Sequence, residues 1–99
     1  MTECLPLNRE MLPEPVDVTI LGSDLDRDQA IAVAEAKARE LASEVMLLAW
    51  FDRKTGNFSP RLTCCFDDKP SWLAYALSRG ADLFIDINQE EYVFAYKKL

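Results

Sequence analysis

The stretch DRDQAIAVAEAKARELASEVMLLAWFD, residues 26 to 52, places a helical pattern directly before a continuous apolar run. Asp26 is a favourable N-cap residue, and Gln29 follows three positions later, which gives a variant of the capping box. One face at helical spacing consists of Ile31, Ala34, Ala38 and Leu41. The pattern predicts a helix over residues 26–43, and its many alanines predict that this helix packs close to a sheet.

The apolar run predicts a strand over residues 44–52 that is apolar on both faces. Successive side chains of a strand point to opposite faces. Strict alternation therefore puts Val45, Leu47, Ala49 and Phe51 on one face and Met46, Leu48 and Trp50 on the other. If only one face of the sheet is covered, a strand of this kind leaves large side chains in water.

Turn residues divide the rest of the chain into further elements. Strands are predicted over residues 16–21, 58–67, 82–87 and 91–98, and a second helix over about 70–79. Pro70 suits the first turn of that helix, and Gly80 suits the left-handed position after its end. Residues 1–15 contain three prolines without an apolar period, and they are predicted to be an extended arm before a single domain at 16–99.

The predicted order is β-α-β-β-α-β with an additional C-terminal hairpin strand. Right-handed crossovers and short hairpins make a ferredoxin-like α/β plait the simplest solution for this order. The fold class is therefore α+β, and both helices are expected to cover the same face of the sheet.

The stretch from Asp24 to Lys97 resembles a small uncharacterised family of prokaryotic domains. The resemblance rests on DRDQAIAVAEAKARELA and PSWLAYALSRGADLFIDI, which are packing patterns of helices and strands. It implies an α+β fold and a prokaryotic, cytoplasmic origin. It assigns no site residues.

The composition excludes several classes of function. The net charge of −6 disfavours nucleic-acid binding, which depends on clustered lysine and arginine. No apolar run approaches the length of a membrane span, and the first residues lack the pattern of a signal peptide. The sequence has no histidine and an odd number of cysteines, three. Histidine-based catalysis, histidine-ligated zinc and a secreted disulfide framework are therefore excluded, and a cytoplasmic protein without a cofactor is predicted.

Two adjacent cysteines, Cys64 and Cys65, stand in the stretch RLTCCFDD at residues 61–68. On a strand they face opposite sides, which predicts that Cys64 is a core residue and that Cys65 lies on the other face. Cys65 is a candidate reactive thiol if Arg61 or Lys69 lowers its pKa. The neighbouring aspartates oppose that effect, so the structural interpretation is favoured.

Acidic residues around the start of the first helix follow the spacing of a calcium-binding loop. The positions that would supply ligands are Asp24, Asp26, Asp28 and Glu35. Gln29 stands where the sharp turn of such a loop requires glycine, and a strand precedes the loop instead of a helix. The favoured interpretation is that these acids stabilise a helix N-terminus.

A second acidic candidate is a carboxylate pair on the predicted strand at 82–87. Asp82 and Asp86 flank Phe84 on one face, and Asp17 joins them if the two strands are neighbours. Paired carboxylates can act as general acid and base when their environments separate their pKa values. Solvated acids on a strand face are the commoner outcome.

The surplus of apolar strand residues predicts an association surface. The candidate interface residues are Met46, Leu48, Trp50, Phe84, Tyr92, Phe94 and Tyr96. Contiguous exposed apolar side chains mark interfaces, and aromatic residues are enriched there. The sequence thus predicts a homodimer closed through the open sheet face. The alternative is that the N-terminal arm folds back over that face with Leu5, Leu7, Met11 and Leu12.

The function predicted from these observations is a non-catalytic, acidic, cytoplasmic domain that self-associates or binds a partner. The alternative is a small-molecule or metal-binding protein, with calcium as one candidate ion, or a minor enzyme with its site near residues 24–28.

Overall fold

The computed structural model of the protein describes residues 9–21, 26–60 and 70–99. After a short 3-10 helix at Arg9–Met11, the elements in chain order are β1 (Val16–Val18), α1 (Arg27–Leu41), β2 (Val45–Asp52), β3 (Asn57–Ser59), α2 (Ser71–Ser78), β4 (Leu83–Ile87) and β5 (Tyr92–Lys98). This order and the mixed α+β class agree with the sequence prediction. The part of the predicted third strand that contains Cys64 and Cys65 lies outside the described residues.

The five strands form one sheet in the order β1-β4-β5-β2-β3. β1 runs parallel to β4, and every other neighbouring pair is antiparallel. It follows that β1, β2 and β4 all point in one direction. Their carboxyl ends therefore meet at one edge of the sheet, together with the start of α1.

The two helices lie on opposite faces of the sheet. α1 packs in a cluster with Ile85, Phe94 and Tyr96, whereas α2 packs in a separate cluster with Phe84, Val93 and Ala95. All five residues of β4 are buried, so both faces of the sheet need a cover. The predicted ferredoxin-like arrangement, with both helices on one face, is therefore wrong.

The first helix follows the sequence prediction closely. Asp26 accepts a hydrogen bond from the Gln29 backbone N–H at 2.8 Å, and the Gln29 side chain accepts one from the Asp26 backbone N–H, which completes the capping box. Ala30, Ala34 and Ala38 are fully buried, and their small side chains let the helix lie close to the sheet. Leu41 is 48% exposed, so its predicted place on the buried face is wrong.

A β-bulge at Leu48 changes which residues of β2 share a face. The pairing with β5 shifts by one residue between Leu47 and Ala49. As a result Leu47 and Trp50 pack on the α1 side, while Leu48 and Ala49 pack on the α2 side. Strict alternation assigned these faces wrongly because a bulge places an extra residue in one strand.

The described end of the N-terminal arm is folded into the domain. Leu12 is only 4% exposed and packs with the cluster under α2, and Met11 lies against the same cluster. The prediction that residues 1–15 are an extended arm is therefore wrong for residues 9–12. Burial of these apolar side chains is favourable because it removes them from water. Leu5 and Leu7, which the alternative interpretation of the arm also placed over the sheet, lie outside the described residues.

Within the described part of the chain, no helix is both long and apolar enough to cross a bilayer.

Replacing Tyr96 by phenylalanine is expected to leave the stability at neutral pH unchanged or to raise it. The Tyr96 hydroxyl is buried under α1 and has no hydrogen-bond partner among the described residues. Burial, and secondarily the charge of Glu35, raises the pKa of Tyr96 above its usual range. A buried hydroxyl without a partner loses about 1–3 kcal/mol of hydration, which the phenylalanine variant does not lose.

The same variant should flatten the alkaline limb of the stability curve. Above pH of about 10 the unfolded tyrosine releases a proton that the folded state retains, so stability falls as pH rises, by up to about 1.4 kcal/mol per pH unit. Tyr92, whose pKa is also raised by burial, contributes in the same direction and remains in the variant. Urea unfolding between neutral pH and pH of about 11 measures both slopes. Equal slopes in the two proteins would contradict the assignment to Tyr96.

Candidate functional site

The carboxyl edge of the sheet is organised by a left-handed turn. Asn88, Gln89 and Glu90 all have positive φ, at 53°, 58° and 64°. Asn88 joins the end of β1 to this turn, because its side chain accepts a hydrogen bond from the Ile20 N–H at 2.8 Å and donates one to the Ile20 carbonyl at 3.2 Å. Runs of positive φ outside glycine are rare and strained, so this turn marks a specialised part of the fold.

The same edge is held on its other side by the end of β2. The Arg53 guanidinium donates to the Glu90 carbonyl at 3.0 Å, and the Lys54 ammonium lies 2.8 Å from the Glu91 carboxylate. Hydrogen bonding to Glu91 is the main reason that the pKa of Lys54 is raised. Arg53 and Lys54 are thus engaged by their own chain, and the contacts connect the ends of β1 and β2 to the turn that follows β4.

The calcium interpretation does not agree with the geometry. Asp26 caps α1, Asp28 lies in its first turn, and Glu35 lies further along and pairs with Arg39 at 2.9 Å. A helix rises about 1.5 Å per residue, so Asp26 and Glu35 are too far apart along the axis to share an ion. Asp24 lies outside the described residues. Within the described ranges, no group of three possible ligands could hold a metal ion.

The predicted carboxylate pair is partly present. Asp17 and Asp86 are direct register partners on the parallel strands β1 and β4, as expected if these strands are neighbours. Asp86 is fully buried and accepts a hydrogen bond from the Glu90 N–H, which supports the left-handed turn. Asp82 is exposed at the other end of β4, where it accepts from the Lys98 N–H at 2.8 Å. The three acids therefore do not converge on one site.

The aromatic residues predicted to form an open interface are core residues. Tyr92, Phe94 and Tyr96 are at most 2% exposed beneath α1. Phe84 is 1% exposed beneath α2, on the other face. Because each face has its own helix, the prediction of an uncovered aromatic stripe is wrong. Trp50 is half-buried on the α1 side, with the Arg27 guanidinium 4.8 Å above its ring.

Two of the predicted interface residues do lie on an accessible apolar surface. At the end of the sheet opposite the left-handed turn, a groove of about 540 Å³ runs between the start of β2, the end of α2 and the end of β5. We call it the β2–α2 groove, and it is lined by Met46, Leu47, Leu48, Tyr75, Arg79, Lys97 and Leu99. Met46 is 44% exposed and Leu99 is 66% exposed, while Leu48 and Tyr75 are half-buried.

The groove combines this apolar floor with two cations. The Arg79 guanidinium lies 5.1 Å over the Tyr75 ring, which holds it beside the floor. Lys97 lies close to Gly80, where an added Cβ would be 3.2 Å from the lysine nitrogen. Arg79 is the C-cap residue of α2, and Gly80, with a φ of +88°, follows it. Both cations therefore stand near the negative end of that helix. In the described residues, neither cation forms an ion pair.

Sequence reasoning did not identify Tyr75, Arg79 and Lys97 as site residues. The available signal was the short second helix, which Gly80 terminates. Its eight residues are too short to extend along the whole of β2, so the start of that strand stays accessible. The assignment of Met46 and Trp50 to one face concealed this, because the bulge separates them.

The comparisons with known proteins identify a family and a similar fold, and they assign no functional site. Residues 13–96 match the family described as Domain of unknown function (DUF5619). The chain belongs to this family. The DUF5619 domain is 39% identical over 74 residues, 72% of this chain and 79% of the relative, to an uncharacterized protein of Archaeoglobus fulgidus. The predicted resemblance to a small uncharacterised family is therefore confirmed.

A solved structure shares the architecture of this DUF5619 domain. It is a crystal structure described as that of a novel protein from Archaeoglobus fulgidus, with a TM-score of 0.74 and 28% sequence identity. The match covers 89% of this chain and 96% of the other. The fold therefore occurs as a separate small protein in an archaeon.

Proposed function

We propose that this protein is a non-catalytic association domain that binds another protein surface through the β2–α2 groove. The observation that carries the proposal is the exposure of Met46 and Leu99, which line one groove beside the end of α2. Methionine adapts its flexible side chain to different partners, and exposed apolar patches that include an aromatic ring are typical of interaction surfaces.

In this proposal the carboxyl edge of the sheet, with its turn at residues 88–90, has a structural role. Its arginine and lysine side chains contact their own chain, and its buried Asp86 supports the turn at residues 88–90. A sequence without histidine also offers few groups for acid–base chemistry near neutral pH. We place the association in the cytoplasm, which the odd number of cysteines favours.

The partner is either a different protein or a second copy of this chain, and the mass in solution separates the two. A specific interface buries about 1,200–2,000 Å² in total, which is more than this groove alone supplies, so neighbouring surface must take part. Size exclusion with light scattering, at increasing concentration, shows whether the chain forms the homodimer that its sequence predicted.

Replacing Met46 by serine is expected to weaken association while the fold stays intact. Full burial of a methionine contributes about 1.5–3 kcal/mol, and Met46 is already more than half buried, with 44% exposed. Association can therefore gain roughly 0.7–1.3 kcal/mol from this side chain, and the dissociation constant should rise by about three- to tenfold. Val33→Ser is a matched control, because Val33 is 36% exposed on the outer face of α1. The measurement is the mass of the purified protein and the set of proteins that each variant retains from a lysate of the source organism.

Two results would reject the proposal. One is a monomer at every concentration that retains nothing from the lysate. The other is equal association by the wild type and Met46→Ser, with both melting at the same temperature.

A further inference from the structure

We propose that the β2–α2 groove binds an extended acidic segment of a partner protein, with apolar side chains on its floor and carboxylates on Arg79 and Lys97. This inference rests on the proposed function and specifies the chemistry of the partner.

The described part of the β2–α2 groove is positively charged, although the chain is acidic. The chain as a whole carries a net charge of −6, yet among the described residues both charged side chains that line this groove are cations. Some bases elsewhere pair with acids of their own chain, as in the Lys54–Glu91 pair at 2.8 Å and the Arg39–Glu35 pair at 2.9 Å. Arg79 and Lys97 form no ion pair in the described residues, so their charge is available to a partner.

The positions of the two cations favour carboxylates as their ligands. The Arg79 guanidinium lies 5.1 Å over the Tyr75 ring and Arg79 is exposed. A planar guanidinium binds a carboxylate through two parallel hydrogen bonds. Lys97, on β5, supplies a second positive charge and lies close to Gly80. An extended peptide presents side chains alternately, which matches a surface with an apolar floor and a charged wall.

The same arrangement disfavours two other occupants. A two-fold dimer through this groove would bring the cations of one copy towards those of the other, because a two-fold interface uses the same patch on both subunits. A small ligand is disfavoured because ligand pockets bury about 70–90% of their ligand, whereas this groove is open to solvent along one side.

The test uses a labelled synthetic peptide in which glutamate and leucine alternate, and fluorescence anisotropy measures its binding to the full chain. The control peptide has lysine in place of every glutamate. We expect the glutamate peptide to bind and the lysine peptide not to bind. Added salt should weaken the binding, because exposed charges are screened.

Two double variants distinguish an effect of the groove on peptide binding from an effect of the protein's net charge. Arg79→Gln combined with Lys97→Gln should weaken binding of the glutamate peptide by about tenfold. Lys37→Gln combined with Arg39→Gln removes the same charge from α1 and should leave the affinity unchanged. Arg79→Gln alone, at an exposed position, provides an intermediate test if the double variant is unstable. Melting temperatures confirm that each variant is folded.

The outcomes distinguish this inference from the proposed function. Binding of both peptides alike, no binding of the glutamate peptide, or equal loss in both double variants would overturn the acidic segment. A Met46-dependent homodimer without peptide binding would also overturn it, and it would support the association domain with a second copy as the partner.

Discussion

Replacement of Trp72 by alanine is expected to lower the free energy of unfolding by about 3–5 kcal/mol. Trp72 is 1% exposed in α2 and stacks on Phe51 of β2, with the ring centroids 5.5 Å apart and the planes at 8°. It is the largest fully buried side chain. A domain of this size has about 5–15 kcal/mol of stability, so this loss is a large fraction of the total. Urea unfolding followed by circular dichroism measures it.

The second tryptophan supplies the control for this experiment. Trp50 is half-buried on the other face of the sheet, beneath Arg27, so Trp50→Ala should destabilise the protein less than Trp72→Ala does. Trp72→Phe keeps much of the ring contact and should fall between wild type and Trp72→Ala. If Trp72→Ala lost less than about 1 kcal/mol, the packing of α2 on the sheet would be wrong.

Replacement of Asn88 by alanine is expected to lower the stability by about 2–4 kcal/mol. The variant loses both side-chain hydrogen bonds to Ile20, and alanine tolerates the φ of 53° at this position less well than asparagine does. Asn88→Gly loses the same hydrogen bonds without the backbone strain. The difference between the two variants therefore measures the strain by itself.

A substitution at Gln89, the next residue of the turn, should change the stability in the opposite direction. Gln89 has a φ of 58° and an exposed side chain. Gln89→Gly should therefore relieve about 1–2 kcal/mol of backbone strain in the folded state. Glycine also gives the unfolded chain more conformational freedom, which offsets about 0.4–1 kcal/mol of that gain. A small net gain in melting temperature is expected. A clear loss would contradict the left-handed conformation of the turn.

The local features of this fold were readable from its sequence because each depends on residues close together. The capping box of Asp26 and Gln29 involves one helical turn, and Gly80 follows the second helix where a left-handed residue is needed. The order of the elements also follows from local helix and strand patterns. In each case the physical cause lies in a short stretch of chain.

The features that the sequence did not reveal depend on long-range choices. Every residue of β4 is buried, and such a pattern does not state which helix covers which face. The bulge at Leu48 stands among apolar residues on both sides, so a shift of one position leaves no polar residue out of place. The candidate interface was therefore only partly found. Met46 and Leu48 lie in the groove, and the predicted aromatic stripe lies in the core.

The order of the strands has a consequence for synthesis of the chain. The centre of the sheet is the β4–β5 hairpin, which is the last pair of elements in the described chain to be made. Ile20, beside β1, is 68 residues before Asn88, its partner in the turn that closes this hairpin. At about 5–20 residues per second a ribosome needs roughly 3–14 s to make that stretch. β1 must therefore wait for its neighbour. The β2–β3 hairpin can pair earlier, but the sheet becomes continuous only when β4 and β5 have been made.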